Sequence, residues 1–242
     1  MARMKKNKTL TIALDIIMVC LIGICAISGY KLYDLMKNYK ADQNVYTEVR
    51  AKAGDRFDID WDAMWEINPD IVAWLYLEDS KIDYPVVQGK DNDEYLHKLV
   101  DGTPGFAGTL FADGYAAAPF RQFSTIIYGH HMKDVSMFNN LKKFKSKDYV
   151  KKHHRFELIT PEGKFHLEVC AFLNQPATSP LYQSNVGEGQ AQSYLDMITK
   201  NAEYMTSVEV GPNDRIVLMS TCAYEYDDAR YVVVGKMVPW EE

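Results

Sequence analysis

One segment near the end of this sequence carries two side chains that could together support attack on a carbonyl group. Cys222 ends the apolar run IVLMSTC, and Arg230 opens the next β-branched run, RYVVVGK. A thiol attacks as the thiolate, and a nearby cation lowers its pKa. Arginine can also donate two hydrogen bonds to the oxyanion that the attack creates. The two residues lie close together if a loop joins their runs as antiparallel strands; the alternative is a surface cysteine near an arginine paired with Asp227 or Asp228.

A histidine pair stands at a second polar strand end. In STIIYGHHMKD, His130 and His131 follow an apolar run directly after Tyr128 and Gly129. Histidine is the side chain best suited to exchange a proton near neutral pH. Either ring could be structural, and the pair could bind a metal, but no HExxH or CxxC pattern supplies further ligands. Cysteine, histidine and arginine at strand ends therefore predict a thiol-based acyl-transfer site without a metal.

The surrounding elements are mostly short strands. From about residue 70 onward, eight or nine β-branched and aromatic runs are separated by Gly, Pro, Asp and Asn. This pattern predicts a mostly β fold with peripheral helices, in which about eight strands form a closed or nearly closed barrel. Helical patterns predict N-terminal helices, one of them capped by Asp60, helical segments after the histidine pair, and a helix at about 188–205 inserted between late strands.

The N-terminal segment has the pattern of a membrane anchor. A basic tail, residues 1–8, precedes an apolar segment, residues 9–30, that is long enough to span a bilayer as a helix. Basic residues on this side favour a cytoplasmic N-terminus. We therefore predict a signal-anchor, a helical stalk over 31–58 and an extracellular catalytic domain over 59–242. A cleaved signal peptide is the competing interpretation, because residues 26–28, Ala-Ile-Ser, could be a processing site.

Charge and cysteine content narrow the function classes. Residues 1–33 carry five basic groups and one acidic group, a net charge of +4, so the whole-chain charge of −6 leaves −10 for residues 34–242. An acidic exterior domain argues against nucleic acid as the partner. Cys20 and Cys25 lie in the apolar segment, whereas Cys170 and Cys222 lie in the exterior domain. The exterior pair could form one disulfide. Alternatively, Cys170 could be a buried thiol and Cys222 a reactive thiol.

Two segments resemble the signature segments of the sortases, class B in particular. They are TIIYGHHMKDVSMFNNLKKF and LMSTCAYEYDDARYVVVGK, and IDYPVVQGKDNDEYL, GTLFAD and the single N-terminal span support the resemblance. It covers most of residues 60–240. It implies that Cys222 is the nucleophile, that His130 is the general acid and base, with His131 the weaker candidate, and that Arg230 stabilises the oxyanion and the substrate. The residues predicted to line the substrate groove are Ser220, Thr221, Tyr128 and Tyr224.

The sequence departs from the family pattern at one point. The cysteine motif of the family is T-L-x-T-C, and this chain has LMSTC, in which only Thr221 and Cys222 match. Leu218 and Met219 replace the family's Thr and Leu and keep the strand end apolar. The chemistry at the cysteine is therefore expected to be unchanged, while contacts in the groove could differ.

The resemblance implies transpeptidation at the outer face of a Gram-positive membrane. Cys222 would attack the Thr carbonyl of a C-terminal sorting signal, NPxTN-like or NPxTG-like, on a secreted protein. An amine of a cell-wall precursor would then resolve the thioacyl enzyme. The thioester retains the energy of the peptide bond, so no cofactor is required. The alternatives are an extracellular cysteine peptidase that hydrolyses the same intermediate, and a non-catalytic wall-binding module with a Cys170–Cys222 disulfide.

Overall fold

A nine-stranded sheet forms the main part of the computed structural model, which describes residues 8–183, 185–222 and 228–240. A separate two-stranded sheet pairs β1 (Gly54–Asp55) with β2 (Asp58–Ile59). The strands of the large sheet are β3 (Ile71–Tyr76), β4 (Asp83–Val87), β5 (Leu110–Ala112), β6 (Ser124–Tyr128), β7 (Arg155–Thr160), β8 (Gly163–Pro176), β9 (Tyr204–Met205), β10 (Arg215–Cys222) and β11 (Ala229–Pro239).

The large sheet closes into a barrel. Its strand order is β11-β10-β6-β5-β4-β3-β7-β8-β9, and β8 also pairs with β11. Eight strands therefore form a ring, and β9 pairs with β8 at Ala171 and Phe172, beyond the part of β8 that pairs with β7. Closure leaves the ring without a free edge, so its backbone groups are paired within the barrel. The predicted closed barrel of about eight strands is confirmed.

Strand β10 is apolar along most of its length because both of its faces are covered. Ile216, Val217, Leu218 and Met219 are each at most 1% exposed. Alternate side chains of a strand point to opposite faces, so one set lies inside the barrel and the other packs outside it. The outer set joins a cluster with helix α4 (Ala191–Asn201). A strand covered on both faces reads as a continuous apolar run rather than an alternating one.

The helices follow the sequence patterns with small differences. Helix α2 (Trp61–Ile67) begins after Asp60, whose carboxylate accepts a hydrogen bond from the Ala63 amide at 3.0 Å. After the histidine pair, a 3-10 helix (Phe138–Lys145) leads into α3 (Lys147–Lys152). Helix α4 is shorter than the predicted 188–205, because Ala202 is extended and the next residues pair with β8 as β9.

Helix α1 (Lys8–Lys52) connects two units of the chain, residues 1–41 and residues 42–242. In the first unit, the large apolar side chains between residues 12 and 33 are exposed, and the helix is long and apolar enough to cross a membrane. The second unit begins at Asp42, inside the segment predicted as a stalk, because Asp42, Tyr46 and Val49 are buried in it. The boundaries of tail, anchor, stalk and catalytic domain stay predictions.

Candidate active site

The two polar strand ends predicted from the sequence are neighbours in the barrel. Strands β6 and β10 are parallel, with Tyr128 opposite Ser220, and the Gly129 amide donates to the Ser220 carbonyl at 3.1 Å. His130 and Cys222 each lie two residues beyond this pair. Because the carboxyl ends of parallel neighbours meet at one edge, the backbone places both residues at the same end of the barrel.

Gly129 is required at the turn between Tyr128 and His130. A Cβ atom at this position would clash with the side chains of Leu110 and Phe138. Glycine alone lets the backbone pass this close to the buried Phe138. The glycine therefore sets where the chain leaves β6 and where the following histidine begins.

Arg230 is placed next to Cys222 by the antiparallel pairing of β10 and β11. The two residues are directly opposite in the register. Cα atoms of such partners are about 4.5–5.5 Å apart. The half-buried Arg230 donates from Nη1 to the Ala229 carbonyl at 3.0 Å. Tyr224 and the side chain of Cys222 lie outside the described parts of the chain, so the predicted role of Tyr224 stays a prediction.

An open cavity of about 510 Å³ lies at this end of the barrel. His130 and Arg230 both line it, whereas His131 does not. Three of the predicted groove residues, Tyr128, Ser220 and Thr221, also line it. Further lining residues with no predicted role include Asn92, Leu96 and Tyr182. Asn92 and Leu96 belong to QGKDNDEYL, a segment that carries the family resemblance; no sequence signal marked Tyr182.

The His130 ring is held from one side by the segment 95–99. Its Nε2 donates to the Leu96 carbonyl at 2.7 Å, and its ring stacks on His97 with centroids 5.4 Å apart and planes 19° apart. A carbonyl oxygen only accepts, so Nε2 carries the proton and Nδ1 is unprotonated in the neutral ring. Burial lowers the pKa of His130 below its usual value of 6.5; the bond to Leu96 acts against this shift, and His97 adds to it. The His130 ring is therefore mainly neutral at pH 7, and its Nδ1 can accept a proton.

The polar side chains of the cavity wall differ in how they are bonded. Tyr128 donates to the Asp113 carboxylate at 3.2 Å, and burial together with Asp113 raises the pKa of Tyr128. The hydroxyls of Tyr182 and Ser220 are 3.1 Å apart. Thr221, 2% exposed, has a hydroxyl oxygen with no hydrogen-bond partner among the described residues. Thr221 lines the cavity, but its unpaired hydroxyl oxygen is itself buried.

Cys170 is a free, buried thiol, so the Cys170–Cys222 disulfide is wrong. Cys170 is 2% exposed in the cluster beneath α4 and donates to the Val234 carbonyl at 3.3 Å. On β8 it is five residues from Gln175, the partner of Arg230, which corresponds to about 16 Å along the strand. A disulfide requires Cα atoms within about 7 Å. Burial raises the pKa of Cys170 to about 12, so this thiol is not a nucleophile near neutral pH.

Replacing Cys170 is expected to change stability and not turnover. Cys170→Ala removes one buried heavy atom from a packed cluster, so we expect the free energy of unfolding to fall by about 1–2 kcal/mol. Denaturant unfolding and peptide turnover of the same preparation measure the two effects. A folded Cys170→Ala protein that has lost turnover would assign this thiol a part in the reaction.

Comparison with known proteins defines the class. The Sortase domain family model matches residues 75–238. The chain therefore belongs to the sortase family, the cysteine transpeptidases. Sortase B of Listeria monocytogenes is 34% identical over 201 residues, covering 82% of this chain and 78% of the relative. Sortase B of Staphylococcus aureus is 28% identical over 235 residues, covering 93% and 96%.

Solved structures agree with this assignment. A Staphylococcus aureus sortase B–substrate complex matches 85% of this chain and all of its own, with a TM-score of 0.76 at 26% identity. Sortase B of Bacillus anthracis in complex with AAEK2 matches 84% of this chain and 99% of its own, with a TM-score of 0.76 at 29% identity. Within the family, the chain is a class B sortase.

Proposed function

We propose that this sortase cleaves a C-terminal sorting signal of the NPxTN or NPxTG kind at its Thr carbonyl and joins that carbonyl to a cell-wall amine. The coarser activity, cysteine transpeptidation for anchoring surface proteins, follows from membership of the family. One observation carries the assignment of the site: His130 and Arg230 line a single cavity at the barrel end where β10 reaches Cys222.

In the proposed first half-reaction, Nδ1 of His130 takes the thiol proton of Cys222. The neutral state of the ring supports this role, since Nε2 is engaged by Leu96 and the pKa of His130 is lowered by burial. The thiolate attacks the Thr carbonyl, and the oxyanion forms near the Arg230 guanidinium. The imidazolium then gives its proton to the leaving amine, which departs as the peptide bond breaks. A thioester between Cys222 and the Thr carbonyl remains.

In the second half-reaction, the neutral His130 takes a proton from the incoming wall amine. The amine nitrogen attacks the thioester carbonyl, and Arg230 again stabilises the oxyanion. Collapse breaks the C–S bond and releases Cys222 as a thiolate, which is reprotonated from the imidazolium. The product is a new amide, so the exchange is balanced without a cofactor.

Replacing Arg230 is expected to slow acylation while binding of the signal changes less. Arg230→Ala removes an oxyanion donor, a change that typically costs about 10²–10³-fold in kcat. Arg230→Lys keeps the charge but loses the planar fork, so we expect intermediate activity. Initial rates with a sorting-signal peptide measure the effect. Arg121→Ala, which removes an exposed ion pair with Glu162, is the control and should stay within about twofold of the parent.

The reaction is tested by identifying products. The full-length protein in detergent micelles is incubated with NPxTN, NPxTG and LPxTG peptides, with and without triglycine as a wall-type amine. We expect a product whose mass equals the Thr-terminated fragment joined to triglycine, and preference for an NPxT peptide. Mainly free carboxylate in the presence of triglycine would favour the cysteine peptidase. Equal turnover of LPxTG would contradict the proposed signal.

A membrane anchor would place the enzyme beside its tethered substrates. The apolar part of α1 and the basic residues that precede it support a single span with a cytoplasmic N-terminus and an extracellular catalytic domain. Confinement to one surface raises the effective concentration of enzyme and substrate. Protease added to protoplasts should digest the catalytic domain and spare an N-terminal tag; the reverse pattern would overturn this topology.

A further inference from the structure

The position of His130 depends on the segment 95–99. Leu96 supplies the carbonyl that binds Nε2, and the His97 ring stacks on the imidazole. Within this segment Leu96 and Lys98 are partly exposed and His97 is exposed, whereas Tyr95 and Leu99 are buried. Both contacts with His130 therefore depend on where the backbone of residues 96 and 97 lies between the buried Tyr95 and Leu99.

The segment 105–109 holds the segment 95–99. The Gly105 amide donates to the His97 carbonyl at 3.0 Å, and the Thr109 amide donates to the Tyr95 carbonyl at 3.1 Å. Gly108 has φ +56°, and a Cβ atom there would clash with the Leu96 carbonyl. The Leu96 carbonyl thus binds His130 on one side and lies against Gly108 on the other. A shift of Gly108 toward Leu96 would displace the carbonyl that orients the histidine.

Two buried side chains of α1 bind the segment 105–109. Tyr46, 0% exposed, donates to the Gly108 carbonyl and lies 3.1 Å from the Thr109 hydroxyl. Asp42, 5% exposed, accepts from the Ala107 amide at 2.9 Å and also from the Phe106 amide. Buried polar groups of this kind are costly unless bonded, so these bonds define one position for the segment.

We propose that Tyr46 and Asp42 are positioning residues of the active site. They hold the segment 105–109, this segment holds Leu96 and His97, and these two hold the His130 ring with Nδ1 free to accept a proton. The inference rests on the proposed catalytic role of His130. The end of helix α1, which the sequence predicted to be part of a stalk, therefore helps to position the catalytic base.

Tyr46→Phe tests the inference, because it removes one hydroxyl and keeps the ring. In the full-length protein in detergent micelles, we expect kcat for the sorting-signal peptide to fall about tenfold or more with KM within twofold, since small displacements of a catalytic group are costly. Proton NMR of histidine-labelled protein reports the site directly. The His130 Nε2–H signal, assigned with His130→Gln, should be protected in the parent and broadened by water exchange in Tyr46→Phe.

Tyr204→Phe is the matched control. Tyr204 also donates its hydroxyl to a backbone carbonyl, that of Phe144, and neither residue lines the active-site cavity. Loss of the Tyr204 hydroxyl should lower the unfolding midpoint about as much as Tyr46→Phe does. It should leave kcat and the His130 Nε2–H signal unchanged. If the control lowers kcat equally, general destabilisation explains the effect and the inference fails.

The outcomes separate this inference from the proposed function. A folded Tyr46→Phe protein with parental kcat and a parental Nε2–H signal overturns the inference. A signal that is lost in Tyr46→Phe, from a parent that turns over none of the peptides, supports the positioning and contradicts the proposed reaction. If Tyr46→Phe does not fold, Asp42→Asn is measured instead. The substitution replaces one carboxylate oxygen by an NH2 donor and removes the charge, which weakens the bonds to the amides of the segment 105–109. A smaller change in the same direction is therefore expected, and no change overturns the inference.

Discussion

Cys222→Ala is expected to remove turnover while leaving the fold unchanged. The thiolate is the only protein group in the proposed reaction that forms a covalent bond to the substrate, so its loss leaves no thioacyl route. Loss of such a nucleophile costs at least about 10³-fold in kcat. Mass spectrometry of the intact protein provides a second measurement. The parent should gain the mass of the Thr-terminated fragment when the amine is withheld, and the variant should not.

Cys170→Ala serves as the control for Cys222→Ala. It makes the same kind of substitution at a buried cysteine, where burial raises the pKa of the thiol. The other exterior cysteine, Cys222, stays in place. This variant should still form the thioacyl adduct. Turnover of the peptide by a Cys222→Ala protein, at a rate near that of the parent, would refute Cys222 as the nucleophile.

His130→Ala is expected to lower kcat/KM by about 10²–10⁴-fold, the usual range for loss of a proton-transfer group. In the parent, burial lowers the pKa of His130, so its base form persists below pH 6.5. The rate should therefore be sustained at pH 6.5 and fall only as pH drops through the lowered pKa, because a protonated ring cannot accept the thiol proton. In His130→Ala this acidic limb should be absent.

His131→Ala is the matched control for His130→Ala. His131 is the adjacent imidazole, and it does not line the cavity. Its removal should leave kcat/KM within a few-fold of the parent and the acidic limb in place. An acidic limb with its midpoint above pH 6.5, or a larger loss from His131→Ala than from His130→Ala, would contradict the assignment of the base.

The elements of the fold were largely predictable because their patterns are local. Apolar and β-branched runs separated by turn residues indicated the strands of the barrel, and Asp60 marked the start of α2. The ends of β6 and β10 were visible as the change from apolar residues to YGHH and STC. The candidate catalytic residues were likewise named from residue type at these ends and from the family resemblance.

Which polar and cysteine side chains are buried was not predictable from the local sequence pattern. Spacing left Cys170 open as a disulfide partner, and its burial under α4 decided that it is a free thiol. Residues 42–52 read as a polar stalk, yet Asp42 and Tyr46 are buried by residues some 60 positions away. A polar residue that bonds to a distant backbone leaves no periodic signal, because its partner lies elsewhere in the chain.

The sequence by itself determined which residues end the strands, which segment could cross a membrane, and which family supplies the chemistry. Only the tertiary structure decided that β6 lies parallel beside β10, that Arg230 is opposite Cys222, and that Leu96 and His97 hold His130. The reason is physical. Alternation and strand ends are properties of a few consecutive residues, whereas the register between strands about 90 residues apart is set by packing of the entire closed barrel.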